Sequence, residues 1–258
     1  MATKGMIFAA GLGTRLKPFT LSHPKAMVRL GDKPMIERVI ERLIQAGIDE
    51  IVINVHHFAD EIINYVSSRH FDGVRIYISH EKEVLLDTGG GILSARKWLE
   101  DADAVLVHNA DILTDVDLNR LIDAHKTSKA DVTLLVAERN TSRYLYFNPA
   151  DYRLEGWCDV RNGAVKPSGF IPDNDTMLCR AYAGVHVFDR NIFTPLEDYR
   201  TRVGDVFSII PFYVETGEFL DIRGYEQVED YHWLDIGKPE SLKEADCLIK
   251  ILKNNGNR

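Results

Sequence analysis

The chain of 258 residues is 45% hydrophobic and 27% charged, a globular composition with enough length to bury a substantial core. Its net charge of −8, from 31 Lys and Arg against 39 Asp and Glu, excludes the basic stripe expected of a nucleic-acid binder. The opening apolar run is far too short to cross a membrane, no signal-peptide pattern is present, and Cys158, Cys179 and Cys247 show no metal-binding spacing, so a cytoplasmic setting is expected. In chain order, Met6–Ala10 reads as a short buried strand. Met35–Ala46 carries apolar residues at 36, 39, 40, 43 and 44, one face of a helix. Ile51–Val55 reads as a strand, Asp60–Val66 as a helix, Val74–Ile78 as a strand and Gly91–Leu99 as a helix. Ala104–Val107 follows as a strand, Asp117–His125 as a helix with Asp115 or Asp117 near its start, and Asp131–Ala137 as a strand. This alternation predicts an α/β fold, a mostly parallel central sheet with helices on both faces.

Beyond residue 140 the rhythm changes. Tyr144–Trp157 reads as a hairpin around Asn148-Pro149, and 158–178 as a polar, exposed excursion. Ala181–Phe188 reads as a strand, Val203–Glu215 as a helix, Phe219–Ile222 and His232–Leu234 as strands, and Pro239–Leu252 as the last helix, with a polar tail, Lys253–Arg258, expected to fray. One domain over 1–258 is expected, with its halves meeting near residue 140.

Four segments carry chemistry. The first strand runs into Gly11-Leu12-Gly13-Thr14-Arg15, and Lys25 follows. Small residues allow close backbone approach, and glycine turns aim several N–H groups at one point. With two fixed cations added, the loop suits a polyphosphate. It is neither a dinucleotide fingerprint, since Leu16 stands where the third glycine belongs, nor a P-loop. The second segment, Leu86–Leu93, holds Gly89-Gly90-Gly91 behind Asp87 and Thr88. It offers either close approach to a ligand or a capped helix start. The third, Val105–Asp111, is an apolar strand running through Asn109 into the carboxylate of Asp111. Mg²⁺ needs only one or two carboxylates plus substrate phosphates, so Asp111 is a candidate ligand as well as a candidate cap. The fourth is His232–Pro239, with Asp235 before a turn and a helix start. In such a sheet, ligands sit outside the carboxyl ends of the strands, where the glycine loop, 86–91 and 109–111 all fall.

The first segment resembles the signature of the sugar-1-phosphate nucleotidyltransferases. Ala9, Ala10, Gly11, Gly13, Thr14, Arg15, Leu16, Pro18, Thr20, Pro24 and Lys25 match it. His232–Pro239 resembles the same family's W-x-D-[IV]-G-[TK]-P element, and Leu86–Leu93 its short branch of uridylyl- and guanylyltransferases, with Asp87 replacing a glutamate. The resemblance implies a Rossmann-like, GT-A-type fold with a nucleotide-binding half, 1–140, and a small β-rich sugar-phosphate-binding half, 141–258. The implied reaction joins an NTP and a sugar 1-phosphate into an NDP-sugar and pyrophosphate. UTP with an amino-sugar 1-phosphate such as N-acetylmuramate 1-phosphate is the first expectation. GTP with mannose 1-phosphate, a cytidylyltransferase acting on phosphocholine, and a non-catalytic nucleotide-binding module are the alternatives.

By the same resemblance, Ala9, Ala10, Gly11, Gly13, Thr14, Arg15, Lys25, Thr88, Gly89 and Asn109 bind the nucleotide. Arg15, Lys25 and Asp111 serve catalysis, Asp111 and Asp235 hold Mg²⁺, and Gly184, in Tyr182–Val185, meets the sugar. The second lysine that longer members place in an E-K-P element is absent, since Lys166-Pro167 lacks the preceding acid.

Overall fold

The computed structural model describes residues 2–255, with side chains through Ile251. Its strands are β1 (Thr3–Phe8), β2 (Arg29–Leu30), β3 (Lys33–Pro34), β4 (Glu50–Val55), β5 (Arg75–His80), β6 (Ala104–Asn109), β7 (Ile112–Thr114), β8 (Val132–Ala137), β9 (Arg143–Phe147), β10 (Leu154–Asp159), β11 (Ala164–Lys166), β12 (Leu178–Asp189), β13 (Ile222–Tyr225) and β14 (Trp233–Asp235). The helices are α1 (Met35–Gln45), α2 (Ala59–Ser68), α3 (Asp87–Leu99), α4 (Leu118–Ser128), α5 (Phe193–Val203), α6 (Ile209–Thr216) and α7 (Pro239–Asn255).

The fold is the expected α/β architecture. Its centre is the parallel set β5-β4-β1-β6, in which Met6 pairs with Val52 on one side and Val107 on the other. β12 joins antiparallel to β6 and leads outward to β8 and β13 along one path and to the β9-β10 hairpin and β11 along another. Alternation along each central strand feeds two cores. Ile7, Ile51, Ile53 and Leu106 face α1, α2, α4 and α7, whereas Met6, Val52, Val105 and Val107 face α3, α5 and α6. The helical stripe of α1 is buried at Ile36, Val39, Ile40 and Leu43, each position worth about 1.5–3 kcal/mol of burial.

Several predicted boundaries are corrected. The helix expected from Gly91 starts at Asp87, so the three glycines lie inside its first turns rather than ahead of it. Tertiary contact overrides their poor helix propensity: the Gly89 and Gly90 N–H groups both donate to the Phe207 carbonyl, at 2.9 and 3.3 Å. The helix expected over Val203–Glu215 is two helices with an extended break. α5 ends at Val203, Gly204 takes φ 90°, and α6 starts only at Ile209. α5 was not among the expected elements; its Pro195 stands in the first turn, where no intrahelical N–H is needed.

The strand expected at Phe219–Ile222 is shifted to Ile222–Tyr225 by pairing of Ile222 with Val132, and Phe219 is exposed. The 158–178 excursion contains β11, paired to β10, and Cys158 is a buried strand residue rather than a loop one. The last helix continues through Asn255, and 256–258 of the tail expected to fray lie outside the described residues. No helix among the described residues is long and apolar enough to cross a membrane.

Candidate active site

A cavity of about 420 Å³ opens at the carboxyl ends of β1, β4 and β6. One wall is the glycine loop, Ala9, Ala10 and Gly11. A second wall holds Leu85, Asp87, Thr88 and Val206, and Asn109, Ala110, Asp111 and Lys25 also line the cavity. Ala9 and Ala10 are buried, and the Ala9 N–H donates to the Asn54 side chain at 2.9 Å. A methyl group on Gly11 would meet no protein atom within 4 Å. Packing within the protein therefore does not require glycine there.

Gly13, in the left-handed region at φ 59°, lies against Thr20 and the Lys25 side chain and thereby seats Lys25, but it does not line the cavity. Thr14 is exposed and outside the lining as well.

The two carboxylates separated in sequence are joined by a small sheet. β14 pairs antiparallel with β7, placing Asp235 opposite Ile112, and the Ile236 N–H donates to the Asp111 carbonyl at 3.0 Å. The Lys25 ammonium ion-pairs with Asp111 and lies 3.6 Å from Asp235, and Arg15 reaches Asp235 at 3.3 Å. Asp235 is held by the Gly237 N–H at 2.7 Å. A methyl on Gly237 would come within 2.7 Å of the side-chain ends of Lys25, Asp235 and Arg15, so a larger residue there would have to displace the charged groups themselves.

Two carboxylates sharing one ammonium can also share a small divalent cation with oxygen ligands at about 2.1 Å. Among the described residues no cluster of three or more protein metal ligands exists, so the remaining ligands of such an ion would come from water or substrate oxygens. The donor set fits Mg²⁺, which is usually held in this way.

The other wall is braced rather than free. Thr88 lines the cavity, but its hydroxyl accepts the Ile209 N–H at 2.9 Å, which ties α3 to the start of α6. Gly89 lies behind the wall, with Phe207 packed over it. Asp87 takes φ 59°, a region that aspartate tolerates better than most residues, and its carboxylate accepts the Thr88 N–H at 2.6 Å. Gly184 sits at a bulge in β12, at φ 78°, where a methyl would lie 3.0 Å from the Asn109 amide; it backs Asn109 and does not line the cavity.

Sequence reasoning missed Asn54 and Glu81. Glu81 is 3% exposed, accepting the Asn54 amide at 2.7 Å and the Leu86 N–H at 2.8 Å. Burial pushes its pKa up, and those two hydrogen bonds only partly offset the shift. The pair ties the glycine loop to the 85–88 wall. The available signal was polar: Asn54 interrupts an otherwise apolar strand.

Residues 4–250 match the Nucleotidyl transferase family, and the chain belongs to that family. It is 28% identical over 252 residues to the N-acetylmuramate alpha-1-phosphate uridylyltransferase of Caulobacter vibrioides, covering 95% of this chain and 96% of that protein. It is 30% identical over 249 residues to the mannose-1-phosphate guanyltransferase of Debaryomyces hansenii, covering 95% of this chain but only 64% of the yeast protein's length. Its fold is similar to that of a UTP-bound UGPase from Acinetobacter baumannii, with a TM-score of 0.77, 20% identity, and coverage of 96% of this chain and 93% of the other.

Proposed function

We propose that the protein is a sugar-1-phosphate nucleotidyltransferase, joining an NTP and a sugar 1-phosphate into an NDP-sugar with release of pyrophosphate. The observation that carries this reading is the ion-pair cluster of Lys25, Arg15, Asp111 and Asp235, of which Lys25 and Asp111 line a glycine-walled cavity. In this reading the sugar phosphate attacks the α-phosphorus in line. A phosphate oxygen is already anionic near neutral pH, so no general base is required, and catalysis reduces to alignment and neutralisation of charge.

Ala10 and Gly11 let the triphosphate approach the backbone. Arg15 holds the β- and γ-phosphates and the departing pyrophosphate, and Lys25 bridges the α-phosphate and the incoming phosphate. Mg²⁺ on Asp111 and Asp235 supplies charge screening between the two anions when bound, in keeping with the family's general use of a divalent metal. A binding module without turnover has no need of two carboxylates beside its phosphate cations, which disfavours that alternative.

Arg15 offers a direct check. Its side chain is 57% exposed and makes a single ion pair, so Arg15→Ala leaves the melting temperature nearly unchanged. Pyrophosphate release by the variant falls about a hundredfold, because a positioned charge facing the transition state is lost. A variant with wild-type turnover removes Arg15 from the reaction.

For substrates, we infer UTP with an amino-sugar 1-phosphate, N-acetylmuramate 1-phosphate first. The similarity to the Caulobacter uridylyltransferase over nearly the whole of both chains supports it. The higher identity to the yeast guanyltransferase favours GTP with mannose 1-phosphate as the second reading. Pyrophosphate release measured with UTP, GTP, CTP, ATP and dTTP against a panel of sugar 1-phosphates decides between them. A base pocket with fixed hydrogen-bonding groups discriminates by at least about tenfold in kcat/KM, about 1.4 kcal/mol. Preference for GTP with mannose 1-phosphate gives the second reading; preference for CTP with phosphocholine, assayed alongside, gives the cytidylyltransferase.

A further inference from the structure

Arg139 stands just beyond the carboxyl end of β8, outside every segment that carries the nucleotide reading. Its Cζ lies 3.3 Å from the centre of the Trp233 ring, and its Nη2 donates to the Tyr182 carbonyl at 2.6 Å. The Trp233 indole N–H donates to the next carbonyl, Ala183, at 2.8 Å. One carbonyl of β12 and one aromatic face therefore hold the guanidinium, and the next carbonyl of β12 holds that ring. Its Nε is buried without a hydrogen-bond partner, and among the described residues no carboxylate forms an ion pair with it.

A half-buried charge without an ion-pair partner is unfavourable. The ring face offsets part of that cost, and the Tyr182 carbonyl a further part, but neither is an anion. Burial pulls the Arg139 pKa down, with Tyr231 and Asp235 acting in the opposite direction.

Arg139 also lines a second cavity, of about 530 Å³, together with Glu138, Asn140, Asn174, Tyr144 and Tyr146. Amides, phenols and one carboxylate suit the hydroxyl and amide groups of a sugar. The relation to the carboxylate centre is set by β14. Alternation puts Trp233 and Asp235 on one face of that strand, about 7 Å apart at about 3.3 Å per residue. The guanidinium is therefore anchored on a residue two positions along β14 from Asp235, and Asp235 is near enough to act on its charge.

We propose that Arg139 receives a carboxylate carried on the sugar ring of the substrate, so that the enzyme prefers an acidic amino-sugar 1-phosphate to its carboxylate-free parent. The inference rests on the transferase reading above. A planar guanidinium with its orientation already fixed matches a carboxylate, and the pairing supplies the missing counter-ion.

The test measures initial rates with UTP and either N-acetylmuramate 1-phosphate, which carries a carboxylate, or N-acetylglucosamine 1-phosphate, which does not. The wild-type enzyme prefers the first. Arg139→Gln raises KM for the first by about tenfold or more, the loss expected for one charge-assisted hydrogen bond, and leaves KM for the second and for UTP unchanged. Arg139→Lys recovers part of the loss. An equal rise for both sugars means that Arg139 meets their common phosphate, and no rise for either means that it only clamps Trp233; each overturns the proposal. A wild-type enzyme that prefers the carboxylate-free sugar overturns it without any variant. Absence of transfer from every NTP to every sugar phosphate is a different result, since it refutes the enzyme reading itself.

Discussion

Pyrophosphate release falls about a thousandfold in Asp111→Asn and in Asp235→Asn, a loss of about 4 kcal/mol of transition-state stabilisation. Chelation of divalent cations abolishes wild-type activity, and added Mg²⁺ restores it. The expectation follows from geometry. One ammonium contacts both carboxylates, and β14 pairs with β7 so that neither can move away independently. Asparagine preserves size and shape but removes the charge that a hard cation requires. Folding is little affected, because Lys25 keeps the other carboxylate as its partner in each variant and the melting temperature shifts by only a few degrees. Full activity of either variant in Mg²⁺, or an enzyme indifferent to chelation, would discard the shared-metal assignment while leaving the phosphate roles of Arg15 and Lys25 open to their own test.

Gly90→Ala and Gly11→Ala separate two reasons for a glycine. A methyl on Gly90 would lie 2.2 Å from the Asp205 carbonyl oxygen, a backbone atom that cannot swing away. The variant forces α3 and the 204–208 segment apart and strains the Gly89 and Gly90 hydrogen bonds to Phe207. The expected destabilisation is about 1–3 kcal/mol, or a fall of roughly 2–4 °C in Tm for each kcal/mol. Nucleotide affinity falls with it, since Val206 of the displaced segment lines the cavity. Gly11→Ala behaves in the opposite way. Its methyl meets no protein atom, so Tm is unchanged or slightly raised. Gly11 lines the cavity that the proposed reading gives to the phosphates, so nucleotide affinity is expected to fall nonetheless. Thermal melting and nucleotide titration of the two variants check both halves. A Gly11→Ala protein that binds nucleotide normally would remove the close approach from the argument.

Much of the fold was legible in the chain because its physics is local. The i, i+3, i+4 spacing in Met35–Gln45 and the apolar runs at Glu50–Val55 and Ala104–Asn109 each bury a face that the periodicity names in advance. The α/β alternation then restricts the topology and puts the glycine loop, 86–91 and 109–111 at one edge of the sheet. Spacing could not reveal helix α5, because a proline that breaks a helix in its interior is harmless in its first turn. Nor could it distinguish glycines that admit a ligand from glycines that admit a neighbouring segment.

The sequence by itself therefore determined the class of fold and which residue types could meet a polyphosphate: Gly11, Arg15, Lys25, Asp111 and Asp235 are all readable as chemistry. Only the tertiary structure decided which of them meet. Asp235 reaches Asp111 through a three-residue strand pairing that no local pattern announces. Gly89 and Gly90 serve the Phe207 carbonyl because a distant loop crosses α3, and Asn54 in β4 and Glu81 just after β5 join the two walls. Arg139 is seated on Trp233 and the Tyr182 carbonyl by long-range packing. The physical reason is common to all of these cases: helix and strand periodicity is set by neighbours a few residues away, whereas a site is set by contacts between segments far apart in the chain, whose energies depend on shape and charge that appear only once the sheet has formed.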